Sequence, residues 1–401
     1  MTSVQSGGSD QSVVSNPQEA QRPEHRDDGP DSAPVSVTPP PGHPRFPLID
    51  GLRALAALSI ILLHSRGAVG DGSWWVAYWS NLSWGVAVFF VISGFLLYRP
   101  FVAASAGQAP PVGARDFYRR RVLRILPGYW VALTVVAVVF GLPEVFGRHW
   151  WQLYGLLQAY NPSIFRDGLI VTWSLSIEAG LYLVLPAFAV GSVRIGGGRS
   201  RSWVSALAAT TLVSVAALVV AHGALGPISP IATAVLNGAT WFGLGMMLAS
   251  LSVGSSSSGT AGTPFSLSRR FPEGCWLLAL ALFLIAGFEA SRLGAWLYVL
   301  EGAAAVLIVL PAITTGHSMR APGGWVRTIL AHRAVAWLGL VSYGLYIWHW
   351  PVFAFLLHDG NQEPFWPRAL AAWILSFGLA MASYLLLEQR YMSTREIPRN
   401  A

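Results

Sequence analysis

An all-α, polytopic membrane protein of about ten transmembrane helices, with both termini cytoplasmic, is the fold class this sequence predicts. Three observations lead there. The 401 residues are 53% hydrophobic and only 11% charged, with a mean hydropathy of +0.50, which is far more apolar than an ordinary soluble domain. Apolar segments of membrane-crossing length recur along the chain. The basic residues sort largely onto one side once alternate loops are placed inside.

Taken in order, residues 1–45 carry no aromatic side chain and are rich in Ser, Pro, Gln and Asp, with three arginines against six acids. Such a segment cannot bury a core and is expected to be a disordered cytoplasmic tail. It also lacks the short apolar core of a signal peptide, which argues for retention. Residues 46–390 are expected to form a ten-span membrane domain, and residues 391–401 a short cytoplasmic tail. The predicted spans are 47–65, 82–98, 126–142, 171–190, 203–222, 230–250, 275–292, 295–314, 334–357 and 367–388. The aromatic stretch from Trp150 to Tyr160 is too short to cross and is expected at the interface or as a re-entrant piece. The run "SVGSSSSGTAGTPFS" reads as a flexible cytoplasmic linker.

All 26 basic residues are arginine, and the formal net charge is +7. With ten spans and the N-terminus inside, only Arg66, Arg148, Arg166, Arg292 and Arg368 fall outside, as retention of arginine on the cytoplasmic face requires. Topology therefore accounts for the basic excess, and no nucleic-acid partner is expected. Cys275 is the single cysteine, so an internal disulfide framework and a multi-cysteine metal site are excluded.

Ionisable groups inside spans are costly and face a cavity or a partner, so they are the functional candidates. Arg53 and His64 stand eleven residues apart in "IDGLRALAALSIILLHSRG". On a helix that spacing is three turns plus about 20° and a rise of about 16.5 Å, which puts both on one face, the arginine near the cytoplasm and the histidine past mid-membrane. Glu178 in "TWSLSIEAGLYLVLP" and His349 in "SYGLYIWHWPV" are expected at a depth similar to that of His64. Two histidines and a carboxylate from three spans have the composition of a proton-transfer site, in which the carboxylate orients an imidazole or stabilises its charged form. In "DFYRRRVLRILPGYW", Arg119, Arg120, Arg121 and Arg124 gather at the cytoplasmic entrance of the third span. Arg119 and Arg120 read as headgroup anchors; Arg121 and Arg124, one helical turn apart, suit a phosphate.

These residues resemble the acyltransferase-3 family of integral membrane O-acyltransferases. Arg53 and His64 match its R-x10-H signature, and "FFVISGFLLYRPF", "FYRRRVLRILPGYW", "WSLSIE" and "LGLVSYGLYIWHWPV" match further family motifs in order. The likeness runs from about Phe46 to Glu388. It implies transfer of an acyl group, commonly acetyl, from acyl-CoA to a hydroxyl of an envelope glycan, glycolipid or secondary metabolite. It implies an enzyme of the plasma (inner) membrane with acyl-CoA as co-substrate and no permanently bound cofactor. Because the sequence stops before the hydrolase-like domain that some members carry, a stand-alone transferase or one with an unlinked partner is expected, and the lack of a paired spacing such as H-x3-H argues against a metal. By the same resemblance, His64 and Glu178 are the catalytic candidates, and Arg53, Arg121 and Arg124 the acyl-CoA-binding ones. Trp173, Ser342, Tyr343, Tyr346 and His349 would line the substrate pocket. Glu388 is expected to pair with a nearby arginine.

In the mechanism expected, CoA phosphates dock on the cytoplasmic arginines and the pantetheine arm reaches toward His64. His64 then acts as general base on the acceptor, with Glu178 stabilising the imidazolium, or forms a covalent acyl-histidine. Two other classes use the same residues: a proton-coupled transporter or flippase with His and Glu as relay, and a metal site from His64, His349 and Glu178. Transport needs no acyl-CoA, which separates it from transfer.

Overall fold

A computed structural model describes residues 46–65, 75–196, 230–258, 268, 271–293, 296–314, 324–357 and 365–389. Among them there is no strand; the structure is a helical bundle. The helices are α1 (Pro47–His64), α2 (Trp75–Ser80), α3 (Trp84–Ser105), α4 (Ala114–Phe140), α5 (Trp150–Tyr154) and α6 (Trp173–Gly196). There follow α7 (Pro230–Ser258), α8 (Pro272–Leu293), α9 (Trp296–Thr314), α10 (Trp325–Ala331), α11 (Arg333–Leu340), α12 (Ser342–Leu357) and α13 (Phe365–Ser383), which runs on as a π-helical turn through Tyr384–Glu388.

Six helical segments are long and apolar enough to cross a membrane: Tyr78–Ser105, Ala114–Phe140, Ile170–Ser192, Ile231–Val253, Trp296–Thr314 and Pro367–Glu388. A seventh results if α11 and α12, bent by 69° at their junction, count as one span. The expected span 47–65 is helical as α1, and 275–292 lies in α8, whose apolar part Pro272–Phe288 is short. The expected span 203–222 and the two tails lie outside the described residues. Large apolar side chains such as Val138, Val139, Leu183 and Ile374 face outward, as they do where the surrounding solvent is lipid.

One local feature departs from the sequence reading and another agrees with it. The start of the expected Gly/Ser linker is helical, because α7 continues to Ser258. Ser250 and Ser252 fold their hydroxyls back onto the carbonyls of Met246 and Ala249, so their polar groups are satisfied within the helix. Around Trp150 only the five-residue α5 forms, with Trp150 and Trp151 both exposed, in keeping with the expectation that this stretch is too short to cross.

Close backbone approaches set the positions of the helices that matter for the site. Gly94 of α3 lies against the Phe242 carbonyl of α7, and Gly245 of α7 against the Val91 carbonyl of α3; a Cβ at either would have no room. Small residues permit this contact, which within lipid is driven by packing. In the same way Gly339 of α11 abuts the Asp50 backbone, and Gly51 abuts Leu330 of α10, so the first turns of α1 are held against α10 and α11. The bend between α11 and α12 is closed by Ser342, whose Oγ donates to the Gly339 carbonyl at 2.8 Å. The left-handed Gly141 (φ 65°) caps α4 by donating its N–H to the Ala137 carbonyl.

Candidate active site

An open cavity of about 880 Å³ lies between α1, α3, α4, α6 and α12. Arg53 of α1 and Arg121 and Arg124 of α4 converge on it, together with Glu178 and Tyr182 of α6 and Tyr346 of α12. Arg121 and Arg124 share a face because three residues make nearly one turn, whereas Arg119 and Arg120 point to the exposed side. The Arg121 guanidinium stands 5.8 Å from the centroid of the Tyr182 ring. The Tyr182 hydroxyl donates to the Glu178 carboxylate. Glu178 acts electrostatically on both Arg53 and Arg121 and so offsets part of the repulsion among the cations. Among the described residues no carbonyl or carboxylate accepts a hydrogen bond from Arg53, Arg121 or Arg124. Their guanidinium donors are open to an anion.

Beyond the arginines the site becomes less charged. Tyr346 donates its hydroxyl proton to the Val171 carbonyl, so the 2.7 Å contact with Ser174 must run from Ser174 Oγ–H to the tyrosine oxygen. One turn further along α12 is His349, whose ring centroid lies 6.1 Å from that of Tyr346. His349 is fully buried. Its Nε2 is 3.0 Å from Nδ1 of His64, and its Nδ1 is 3.0 Å from the Leu345 carbonyl. His64 is partly exposed, and its ring makes a T-shaped contact with that of Trp350 at 4.9 Å between centroids. The last turn of α1 is tied down by Trp79, which donates to the Leu62 carbonyl, and by Trp373, which donates to Ser65 Oγ.

Several sequence expectations are corrected by this arrangement. Glu178 does not pair with either histidine; its bonded partner is Tyr182, and it belongs with the arginines. The reason is the direction of α6. Its first turn meets Tyr346 through Ser174, and Glu178, about 6 Å further along the axis, is carried toward Arg53 and away from His64. Glu388 lies near Arg124 and Arg53, and among the described residues its buried Oε1 has no hydrogen-bond partner. Ser342 and Tyr343 do line the cavity, yet both hydroxyls are spent on the backbone, Tyr343 donating to the Ile125 carbonyl at 2.5 Å. Trp173 packs against Phe165 and, like the two histidines, is not among the cavity-lining residues. Among the described residues no group of three or more His, Cys, Asp or Glu side chains is placed to hold a metal ion.

Tyr182 and Ser174 escaped the sequence reading. The available signal for Tyr182 was its position four residues after Glu178, which puts it on the same helical face. Ser174 lies inside the quoted "WSLSIE", but a serine there carries no periodic signal of its own.

Residues 46–387 match the sequence model of acyltransferase-3, described as an acyltransferase domain. The chain is 26% identical over 372 residues to YrhL of Bacillus subtilis, covering 86% of this chain and 55% of that one. It is 26% identical over 397 residues to the peptidoglycan O-acetyltransferase OatA of Listeria monocytogenes, covering 85% of this chain and 55% of the relative. To the O-acetyltransferase OatA of Staphylococcus aureus the identity is 24% over 341 residues, 78% of this chain and 51% of the other. The chain thus spans about half the length of the curated relatives it matches. No solved structure matches it.

Proposed function

The chain belongs to the acyltransferase-3 family, and from that premise we propose that it is a membrane O-acetyltransferase moving acetyl from cytoplasmic acetyl-CoA to a hydroxyl of an envelope glycan of the peptidoglycan type. The donor is read from the site, and the acetyl group and glycan acceptor from the names of the relatives. In the same proposal the chain crosses the plasma membrane ten times, with residues 1–45 and 391–401 as cytoplasmic tails.

The observation that carries this reading is the convergence in one cavity of three arginines that have no protein acceptor among the described residues. Three guanidinium forks suit the phosphates of a CoA ester, and a neutral substrate would leave them uncompensated. From Arg53 the same helix rises about 16.5 Å to His64, comparable to the reach of a pantetheine arm. Phosphates held by Arg53, Arg121 and Arg124 therefore leave the thioester near His64, with Tyr346 and Ser174 between. At His64 the imidazole takes the proton of the acceptor hydroxyl as its oxygen bonds to the acetyl carbon. The carbon–sulfur bond then breaks, and the imidazolium returns the proton to the departing thiolate. Glu178, held by Tyr182, keeps the cationic cavity partly balanced and takes no part in this transfer.

The test uses the full chain in lipid nanodiscs, with acetyl-CoA and a soluble glycan oligomer, and follows both thiol release and acetyl ester formation. His64→Ala is expected to lower the rate by about 10²-fold or more, the usual contribution of a general base. Undiminished turnover in that variant, or thiol release that needs no acceptor, overturns the reading.

A further inference from the structure

His64 has two ring nitrogens, and base catalysis needs one of them bare and facing the reaction. Which one is bare follows from a chain of hydrogen bonds that begins on α12. The Leu345 carbonyl is only an acceptor, so Nδ1 of His349, 3.0 Å away, must carry its proton. His349 is fully buried and no carboxylate bonds to it, so the ring is held neutral and its Nε2 has a lone pair rather than a proton. Nδ1 of His64, 3.0 Å from that lone pair, must in turn be the donor. The proton of neutral His64 is thereby placed on Nδ1, and Nε2 is left bare.

We infer that His349 is a positioning residue that sets the tautomer of His64, leaving Nε2 of His64 as the atom that accepts the proton from the acceptor hydroxyl. It rests on the transferase reading above. The role usually taken by a carboxylate behind a catalytic imidazole falls here to a second imidazole, itself fixed by a helical carbonyl. When Nε2 takes up the acceptor's proton, His64 becomes an imidazolium whose Nδ1–H still donates to His349, and the donor–acceptor pattern of the pair is unchanged. No proton has to cross from one ring to the other during the transfer. The geometry separates the two histidines by access as well, because His64 is partly exposed while His349 is sealed between Leu345, Tyr346 and Phe353. His349 consequently does not touch substrate.

The wild-type protein provides one test, with a substitution used only to assign its signals. With 15N-labelled histidine and His64→Gln to identify its signals, solid-state NMR is expected to show neutral His64 protonated at Nδ1; a proton on Nε2 overturns the inference. Two variants provide the second test. His349→Leu removes the acceptor and is expected to lower kcat by about 10²-fold with KM for acetyl-CoA within threefold, since tautomer control acts on the proton-transfer step alone. His349→Gln offers an amide oxygen to His64 Nδ1 and an amide N–H to the Leu345 carbonyl, and is expected to recover most of that loss. Equal losses in both variants, or a His349→Leu enzyme with wild-type kcat, sink the inference. If His64→Ala is inactive while His349→Leu is not, the transferase reading stands and only the role of His349 fails. Should neither variant fold, the NMR result on the native protein decides alone.

Discussion

Replacing Arg121 by lysine keeps the charge of the cavity and removes the shape of the group that carries it. Two interactions are lost. The guanidinium stands 5.8 Å from the Tyr182 ring centroid, a cation–π contact worth about 0.5 to 2 kcal/mol depending on how far water is excluded. A planar fork also bonds two phosphate oxygens where an ammonium makes a point contact, and one charge-assisted hydrogen bond contributes about 1.5 to 3 kcal/mol. Some of each is recovered by the ammonium, so a net loss of about 2 to 3 kcal/mol is expected, or a Kd for CoA raised about 30- to 150-fold. Calorimetry on nanodisc-embedded protein measures this directly, with pantetheine, which lacks the phosphates, as the comparison ligand. Arg120→Lys, on the exposed side of the same turn, is expected to leave the CoA Kd within twofold. A CoA Kd within threefold of wild type in the Arg121 variant, or an equal loss for pantetheine, would refute the assignment of these arginines to phosphate.

Tyr182→Phe keeps the ring beneath Arg121 and deletes the hydroxyl that donates to Glu178. Freed from that bond, the carboxylate competes with the ligand for the arginines, and a three- to tenfold rise in the CoA Kd is expected from a hydrogen bond worth about 1 kcal/mol; tighter binding contradicts the balance argued for Glu178. Gly94→Val forces a side chain into the α3–α7 crossing, where the Phe242 carbonyl leaves no space. A destabilisation of about 1 to 3 kcal/mol or more is expected as a lower Tm in detergent, and an unchanged Tm would show that the crossing is looser than the backbone contact indicates.

The membrane character and most of the helices were legible in the chain, because lipid imposes one requirement on every residue of a span and that requirement is local. Nine of the ten expected segments are helical, and 203–222 lies outside the described residues. Arg53, Arg121 and Arg124 could be singled out by the same rule, since a cation in an apolar segment needs a reason. The partners of the polar groups were less legible. Glu178 was expected beside the histidines because depth was counted from the outer end of its span, and depth does not say which way a helix leans or which neighbour it meets. His349 was expected to line a pocket and is instead buried behind His64. Tyr343 and Ser342 line the cavity as expected, but their hydroxyls also anchor the bent start of α12 to the backbone, which the sequence did not show.

What the sequence by itself determined is the one-dimensional part: a helical membrane protein, the helical segments, and the spacing of eleven residues that puts Arg53 and His64 on one face of α1. Rise and turn per residue are constants of the α-helix, so distances along one helix follow from counting. Which side chains meet across helices was decided only by the tertiary structure. Glycine contacts such as Gly94 with Phe242 and Gly339 with Asp50 determine how closely and at what point the helices touch. Those contacts bring together residues hundreds of positions apart, among them the two imidazoles of His64 and His349, and no periodicity in the chain records such a meeting.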